Sequence, residues 1–380
     1  MEEVFRICTL RTPQNKELLI NMKIFIDLGH PAHVHYFKNF IRIMESRGNI
    51  IFVSARCRSI IFNLLGKYNI PYYNRGSGRD GILGKLLYMV TAHVKLLIKA
   101  IRFRPDIFVS FASPYAAQTA WILRKPHVVL DDTEHARFGH LFYKSFSKTF
   151  LNPSCFKKDF GENQIRFNSF PELFYLHPNH LNVDKDVLTL LGLSESEEFV
   201  LLRFVSWKAN HDIGHIGLDQ STKRLLVNLL FKKGYKIFIS AESEISDTFF
   251  EKYLLKISPD QIHCVMKLAT LLVTEGATMA SECAMLGTPA IYVNSLDAGT
   301  LREQEDKYQL IHGFRSSDGV IEKVMELLNK PHLKETYQFR RQKMLSEKID
   351  ATAFLVWFIE NYPGSAKVMK ENPGYQDRFK

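Results

Sequence analysis

Leu271 to Val293, LLVTEGATMASECAMLGTPAIYV, is the stretch whose reading decides the fold. Leu271-Leu272-Val273 is a continuous apolar run, the mark of a strand buried on both faces of a parallel sheet. Glu275-Gly276-Ala277 makes a turn. A helix fits Thr278 to Leu286, with Met279, Cys283 and Leu286 spaced to face the sheet. Gly287 supplies a left-handed stop, Pro289 forbids continuation, and Ala290 to Val293 reads as the next buried strand. The helix therefore starts at the carboxyl end of the first strand. Its unpaired N–H groups and its dipole make that spot a natural phosphate seat. Thr278 and Glu282 share one helix face, so the carboxylate sits one turn from the seat, placed to accept bonds from ribose hydroxyls. An ordinary strand-helix-strand unit with a surface Glu is the plainer reading of the same pattern.

The segment resembles the donor-nucleotide motif of GT-B glycosyltransferases and of the non-hydrolysing sugar-nucleotide 2-epimerases. In those families a Gly-rich turn, a Thr or Ser and a helical Glu precede Gly-x-Pro. The resemblance implies that Gly276, Ala277 and Thr278 line the diphosphate and that Glu282 holds the ribose. Glu275 departs from the pattern, since many relatives have Ser there, and it sets an acid beside the implied phosphate.

At 380 residues the chain has room for two domains and a large core. Hydrophobic content of 46% against 24% charged residues marks a folded chain rather than a disordered one. The net charge of +10 suits phosphorylated small molecules, anionic membrane surfaces or nucleic acid. Basic residues are dispersed and no recognised module appears, so nucleic acid ranks last. Five cysteines stand singly, which fits a reducing cytoplasm better than a disulfide framework. No apolar run reaches transmembrane length, and residues 1–21 lack the apolar centre of a signal peptide. They read as an N-terminal extension.

Lys23 to Leu28 reads as a strand, Gly29-His30-Pro31-Ala32-His33-Val34-His35 as the loop leaving it, and a helix follows to Gly48. Ile50 to Ser54 is the second strand. This opening sets the histidine loop at the carboxyl edge of the first strand, where open α/β sheets bind ligands. Its three histidines admit three readings: metal ligands, packing groups at the helix start, or substrate contacts. No clustered acid or cysteine accompanies them, which argues against metal. His33, at the loop centre, is the preferred proton acceptor because imidazole titrates near neutrality without help. His30 and His35 flank it on the same side, and Ser113 lies in the loop after the strand Ile107 to Ser110. Asp131-Asp132-Thr133-Glu134-His135 ends the strand Val128 to Leu130. Helix capping by Asp132 or Thr133 explains part of that run, and Glu134 and His135 are expected to face the cleft. A helix over about Ile82 to Phe103 carries Leu83, Leu86, Val90, Val94, Leu97 and Ile101 on one stripe. Lys95, Lys99 and Arg102 lie on another. Packing on the sheet is the plain reading of that helix, and attachment to anionic lipid the sharper one.

The second half opens near Asp186 with the strand Phe199 to Phe204. Arg203, Ser206, Lys208 and His211, at its end and in the loop beyond, are candidates for diphosphate or sugar contacts. Ala351 to Ile359 is an apolar terminal helix, and the tail after Pro363 is polar. Taken together, DLGHPAHVHYF, DDTEHA, Asn152-Pro153-Ser154, RFVSWKANHD and EGATMASECAMLGTP resemble the microbial domain-of-unknown-function 354 family, grouped with GT-B-like proteins.

That resemblance implies an α/β, GT-B-like fold of two Rossmann-like domains facing across a cleft, with a C-terminal helix returning to the first. The expected division is an extension at 1–21, an acceptor domain at 22–185, a donor domain at 186–345, and a crossing helix and tail at 346–380. The expected activity is glycosyl transfer from a nucleotide-diphosphate sugar to a glycan or lipid-linked acceptor in surface glycan synthesis. His33, Glu134 and His135 are its expected catalytic residues, and neither a metal nor another cofactor is required. A sugar-nucleotide 2-epimerase, or a non-catalytic binding scaffold, is the alternative. The expected location is the cytoplasm, with peripheral contact at the inner face of the membrane.

Overall fold

Two runs of strand-helix alternation build two parallel sheets in the computed structural model, which describes residues 21–78, 81–134, 137–204, 217–241, 247–295 and 299–380. The first sheet contains β1 (Lys23–Leu28), β2 (Ile50–Ala55), β3 (Tyr73–Asn74), β4 (Ile107–Phe111), β5 (His127–Leu130), β6 (Thr149–Pro153) and β7 (Gln164–Phe167). Their order is β3-β2-β1-β4-β5-β6-β7, and every pairing is parallel. The second contains β8 (Phe199–Phe204), β9 (Lys236–Ala241), β10 (Leu271–Thr274), β11 (Ala290–Val293) and β12 (Ile311–Phe314), in the parallel order β12-β11-β10-β8-β9.

Every residue of β10 and β11 is buried, as the apolar run required, and Val273 pairs with Leu202 on one side and Ile291 on the other. The helix between them spans Ala277–Leu286 and stops at Gly287, whose φ of 71° is the left-handed stop. In each sheet the strand order reverses once, between β1 and β4 and between β8 and β10. At such a reversal the helices leave to opposite faces, which opens a crevice at the carboxyl ends of the strands. The histidine loop and Ser113 border the first crevice. Arg203 and Gly276 border the second.

The terminal helix Ala351–Glu360 packs on the helix Pro31–Ser46 of the first half. Phe354 stacks on Phe167 at 5.9 Å, the Thr352 hydroxyl donates to the Phe174 carbonyl at 2.7 Å, and Arg47 pairs with Glu360 at 2.6 Å. The polar tail folds back as well: Tyr375 lies 4.8 Å from the Trp357 ring, so aromatic pairs between the tail and the terminal helix outweigh the tail's polar composition.

The helix Gly81–Phe103 overturns one expectation. Tyr88, Ala92, Leu96 and Ala100 form its buried stripe, while Val90, Val94 and Ile101 face outward. The small side chains of Ala92 and Ala100 let the helix sit close to the sheet and to the helix Pro114–Ile122. The larger residues a few positions away are then excluded from that contact.

Candidate active site

His30 caps the helix Pro31–Ser46: its Nδ1 accepts the Ala32 N–H at 3.2 Å, and Pro31 has no N–H to leave unpaired. His33, one turn on, accepts the Gly29 N–H on Nδ1 at 3.3 Å. That bond leaves the ring proton on Nε2. Burial, with His30 and Arg75 nearby, holds the His33 pKa well below the usual imidazole range. In this geometry His33 offers a hydrogen-bond donor, whereas the sequence suggested a base. His35 is packed between the halves, stacked on Tyr175 at 5.2 Å and edge-on to His263 at 4.7 Å. Burial and the neighbouring His263 also push its pKa well down.

Beneath the loop lies a buried charge. Asp27, the acid inside the apolar strand KIFIDL, accepts from Ser54 and Ser113 at 2.5 Å each and meets Arg75 Nε at 3.0 Å. Ser113 also accepts the Ala116 N–H, so its hydroxyl is committed to Asp27 and to capping the helix Pro114–Ile122. Arg75 lies 4.3 Å from the Tyr115 ring and donates to the Tyr88 hydroxyl at 2.6 Å. This network lies beneath the crevice, with Arg75 close to Gly29.

The acids behind β5 divide into two kinds. Asp131 is held by the Tyr143 hydroxyl, by His140 at 3.1 Å and by the Thr133 N–H at 2.9 Å. Glu134 turns aside and accepts the Lys157 N–H at 2.8 Å. Both are structural in this arrangement. Asp132 differs: burial and the Asp131 charge raise its pKa to about 7. Glu172 joins it from the crossover between the halves. That carboxyl is buried, one oxygen has no hydrogen-bond partner among the described residues, and burial with the Asp132 charge raises its pKa to about 8. Ser281, on the helix Ala277–Leu286, hydrogen-bonds to Glu172, and Glu282 adds its charge. Tyr36 is surrounded by the same carboxylates, Asp132, Glu172 and Glu282, which with burial raise its pKa.

On the second half, Glu282 accepts from the Tyr175 hydroxyl at 2.6 Å and lies 3.0 Å from His263 Nε2. Its carboxylate therefore ties the halves together in this state. Gly276 caps the helix without a side-chain bond, and Thr278 is exposed beside it. The departure at Glu275 resolves itself: the carboxylate turns away, accepts the Leu218 N–H at 2.8 Å and pairs with Lys223 at 3.0 Å. Arg203 donates to Ser240 at 2.8 Å from the end of β8. His135, Ser206, Lys208 and His211 lie outside the described residues. Among the described residues, no three His, Cys, Asp or Glu side chains converge as metal ligands.

Sequence reasoning passed over Asp27, Arg75, Glu172, Tyr175 and His263. An acid in the middle of an apolar strand could have pointed to Asp27. Glu172 carried no local signal.

Solved structures share this architecture. A putative UDP-N-acetylglucosamine 2-epimerase from Listeria monocytogenes matches with a TM-score of 0.66 at 10% identity, over 90% of this chain and 96% of its own. The UDP-GlcNAc 2-epimerase of Neisseria meningitidis, solved with UDP-GlcNAc, gives 0.61 at 12% identity over 93% and 100%. The glycosyltransferase SsfS6 of Streptomyces sp. SF2575 gives 0.57 at 12% identity over 89% and 99%. By sequence, an uncharacterized protein of Methanocaldococcus jannaschii is 20% identical over 283 residues, 72% of this chain and 82% of the relative. The likeness to solved structures establishes the GT-B-like fold. Residues 22–362 match the sequence model described as protein of unknown function (DUF354), and with that span covering both sheets and the crossing helix the chain belongs to the DUF354 family.

Proposed function

We infer that the chain is an enzyme acting on a nucleotide-diphosphate sugar, and that it transfers the sugar to a glycan or lipid-linked acceptor. The observation that carries this reading is the pair Asp132 and Glu172, two neighbouring carboxyls with raised pKa values, with Glu172 set against the helix that bears Ser281 and Glu282. The fold neighbours support it, since they include nucleotide-sugar epimerases and glycosyltransferases. In the reading, Asp132 as carboxylate takes the proton of the acceptor hydroxyl. The acceptor oxygen bonds to the anomeric carbon as the bond from that carbon to the diphosphate breaks, and the electron pair leaves with the nucleoside diphosphate. The N-terminus of the helix Ala277–Leu286, with Gly276, Ala277 and Thr278, meets the growing charge, assisted by Arg203 or Lys208. Glu172, protonated up to about pH 8, donates a hydrogen bond where an ionised acid would repel the diphosphate. His33 donates from Nε2 on the acceptor side. Glu282 exchanges a protein partner for the ribose hydroxyls.

The same pair favours a second reading. Inverting a sugar carbon requires one group to remove a proton and another to return it from the opposite face, so a 2-epimerase also uses two titrating carboxyls. A panel of nucleotide sugars with product analysis separates the two. Sugar on an added acceptor supports the transferase, an isomerised donor formed without acceptor supports the epimerase, and binding without turnover contradicts both.

A further inference from the structure

The segments 81–104, 114–125 and 137–148 hold ten Lys or Arg residues and no Asp or Glu. They form three helices, Gly81–Phe103, Pro114–Ile122 and Arg137–Lys144, which neighbour one another on one face of the first sheet. Outward from this face stand Leu87, Val90, Val94, Ile98 and Ile101, each between 45 and 62% exposed, a stripe along most of the long helix. The two shorter helices continue it with Trp121 at 60% and Leu141 at 68%, beside Ile122 and Phe142. Isolated exposed apolar side chains are ordinary, but nine on adjacent helices are an interaction surface. Exposed Lys95, Arg102, Arg104, Arg124, Lys144 and Lys148 accompany them.

We propose that this three-helix face docks on an anionic lipid bilayer. A second copy of the chain fits poorly: a two-fold contact of this face would set bases against bases, with no carboxylate on these segments to pair them. An anionic lipid surface supplies the missing charge to the bases and an acyl boundary to the apolar stripe and Trp121. No helix among the described residues is long and apolar enough to cross a membrane, so the contact is peripheral through this face. The stripe starts at Leu87, next to Tyr88, whose hydroxyl meets Arg75 and Gly76 beside the histidine loop. The face thus opens on the acceptor side of the crevice. The proposal stands on the surface alone and does not depend on the reaction.

The test is co-sedimentation of the full chain with phosphatidylglycerol–phosphatidylcholine vesicles and with pure phosphatidylcholine vesicles, at low and high salt. Binding to the anionic vesicles alone, weakened by salt, is expected. The triple variant Lys95→Gln, Arg102→Gln, Arg124→Gln should bind about a hundredfold more weakly. Val94→Ser with Trp121→Ser should also weaken it while leaving the circular dichroism spectrum unchanged. No binding, or equal binding to neutral vesicles, overturns the proposal. So does a dimer in sedimentation equilibrium that the same substitutions dissociate, which would make the face a contact between copies.

Discussion

Replacing Glu172 by Gln keeps the shape of a protonated acid and removes its titration. Burial raises the folded-state pKa to about 8, so between about pH 5 and 8 the folded chain holds a proton that the unfolded chain has lost. The stability tied to that proton is complete below the unfolded pKa and disappears as pH rises through 8. Glu172→Gln should therefore be the more stable protein above pH 8, by up to about 5 kcal/mol at pH 9, in denaturant melts at pH 5 and 9. Equal stability at pH 9 would mean that the carboxyl is solvated. This residue also shows where sequence reading stops. His33 was visible from its loop, but its role depends on a Gly29 N–H that only folded geometry supplies. Glu172 sits in an irregular crossover, and only the folded chain buries its carboxyl and sets the Asp132 and Glu282 charges beside it.

The helix Ala277–Leu286 was legible almost to the residue because its start and stop are each encoded locally, but its burial was not, since every residue from Ala280 on is buried, Ser281 and Glu282 included. Its end is also mechanically tight. A Cβ on Gly287 would lie 2.5 Å from Gln338 Nε2, and its φ of 71° suits few residues with a side chain. Gly287→Ala should lose about 1–3 kcal/mol in denaturant melts, while an unaffected midpoint would contradict the left-handed stop. On the same helix, Glu282→Ala should weaken nucleoside diphosphate binding by about 1–3 kcal/mol, measured by calorimetry. Because Glu282 also bonds Tyr175, Tyr175→Phe is the control: it removes only that bond and should leave affinity near wild type. Unchanged affinity in a folded Glu282→Ala would remove the ribose assignment. The helix Gly81–Phe103 was read less well, since a 3.6-residue period allows more than one apolar stripe on so apolar a sequence. Which stripe packs was decided by the fit of Ala92 and Ala100 against the neighbouring helix.

At the scale of the molecule, each half is built on one parallel sheet, and the helix Ala351–Glu360 returns to the first half. Strand-helix alternation announced the sheets. The meeting of His35 with His263, and of Tyr175 with Glu282, depends on how the halves are set against each other, which no local pattern contains. The central claim is that chemistry occurs at this meeting point, driven by Asp132 and Glu172. The most direct measurement is the rate of nucleoside diphosphate release from a turned-over nucleotide sugar between pH 5 and 10. It should be made in the wild type, in Asp132→Asn and in Glu172→Gln. The wild type should show a bell, rising as Asp132 ionises near 7 and falling as Glu172 ionises near 8. Asp132→Asn should lose about 10²–10⁴-fold in turnover, and Glu172→Gln should lose the alkaline limb. A pH profile that both substitutions leave unchanged, or no release from any nucleotide sugar, would contradict the account.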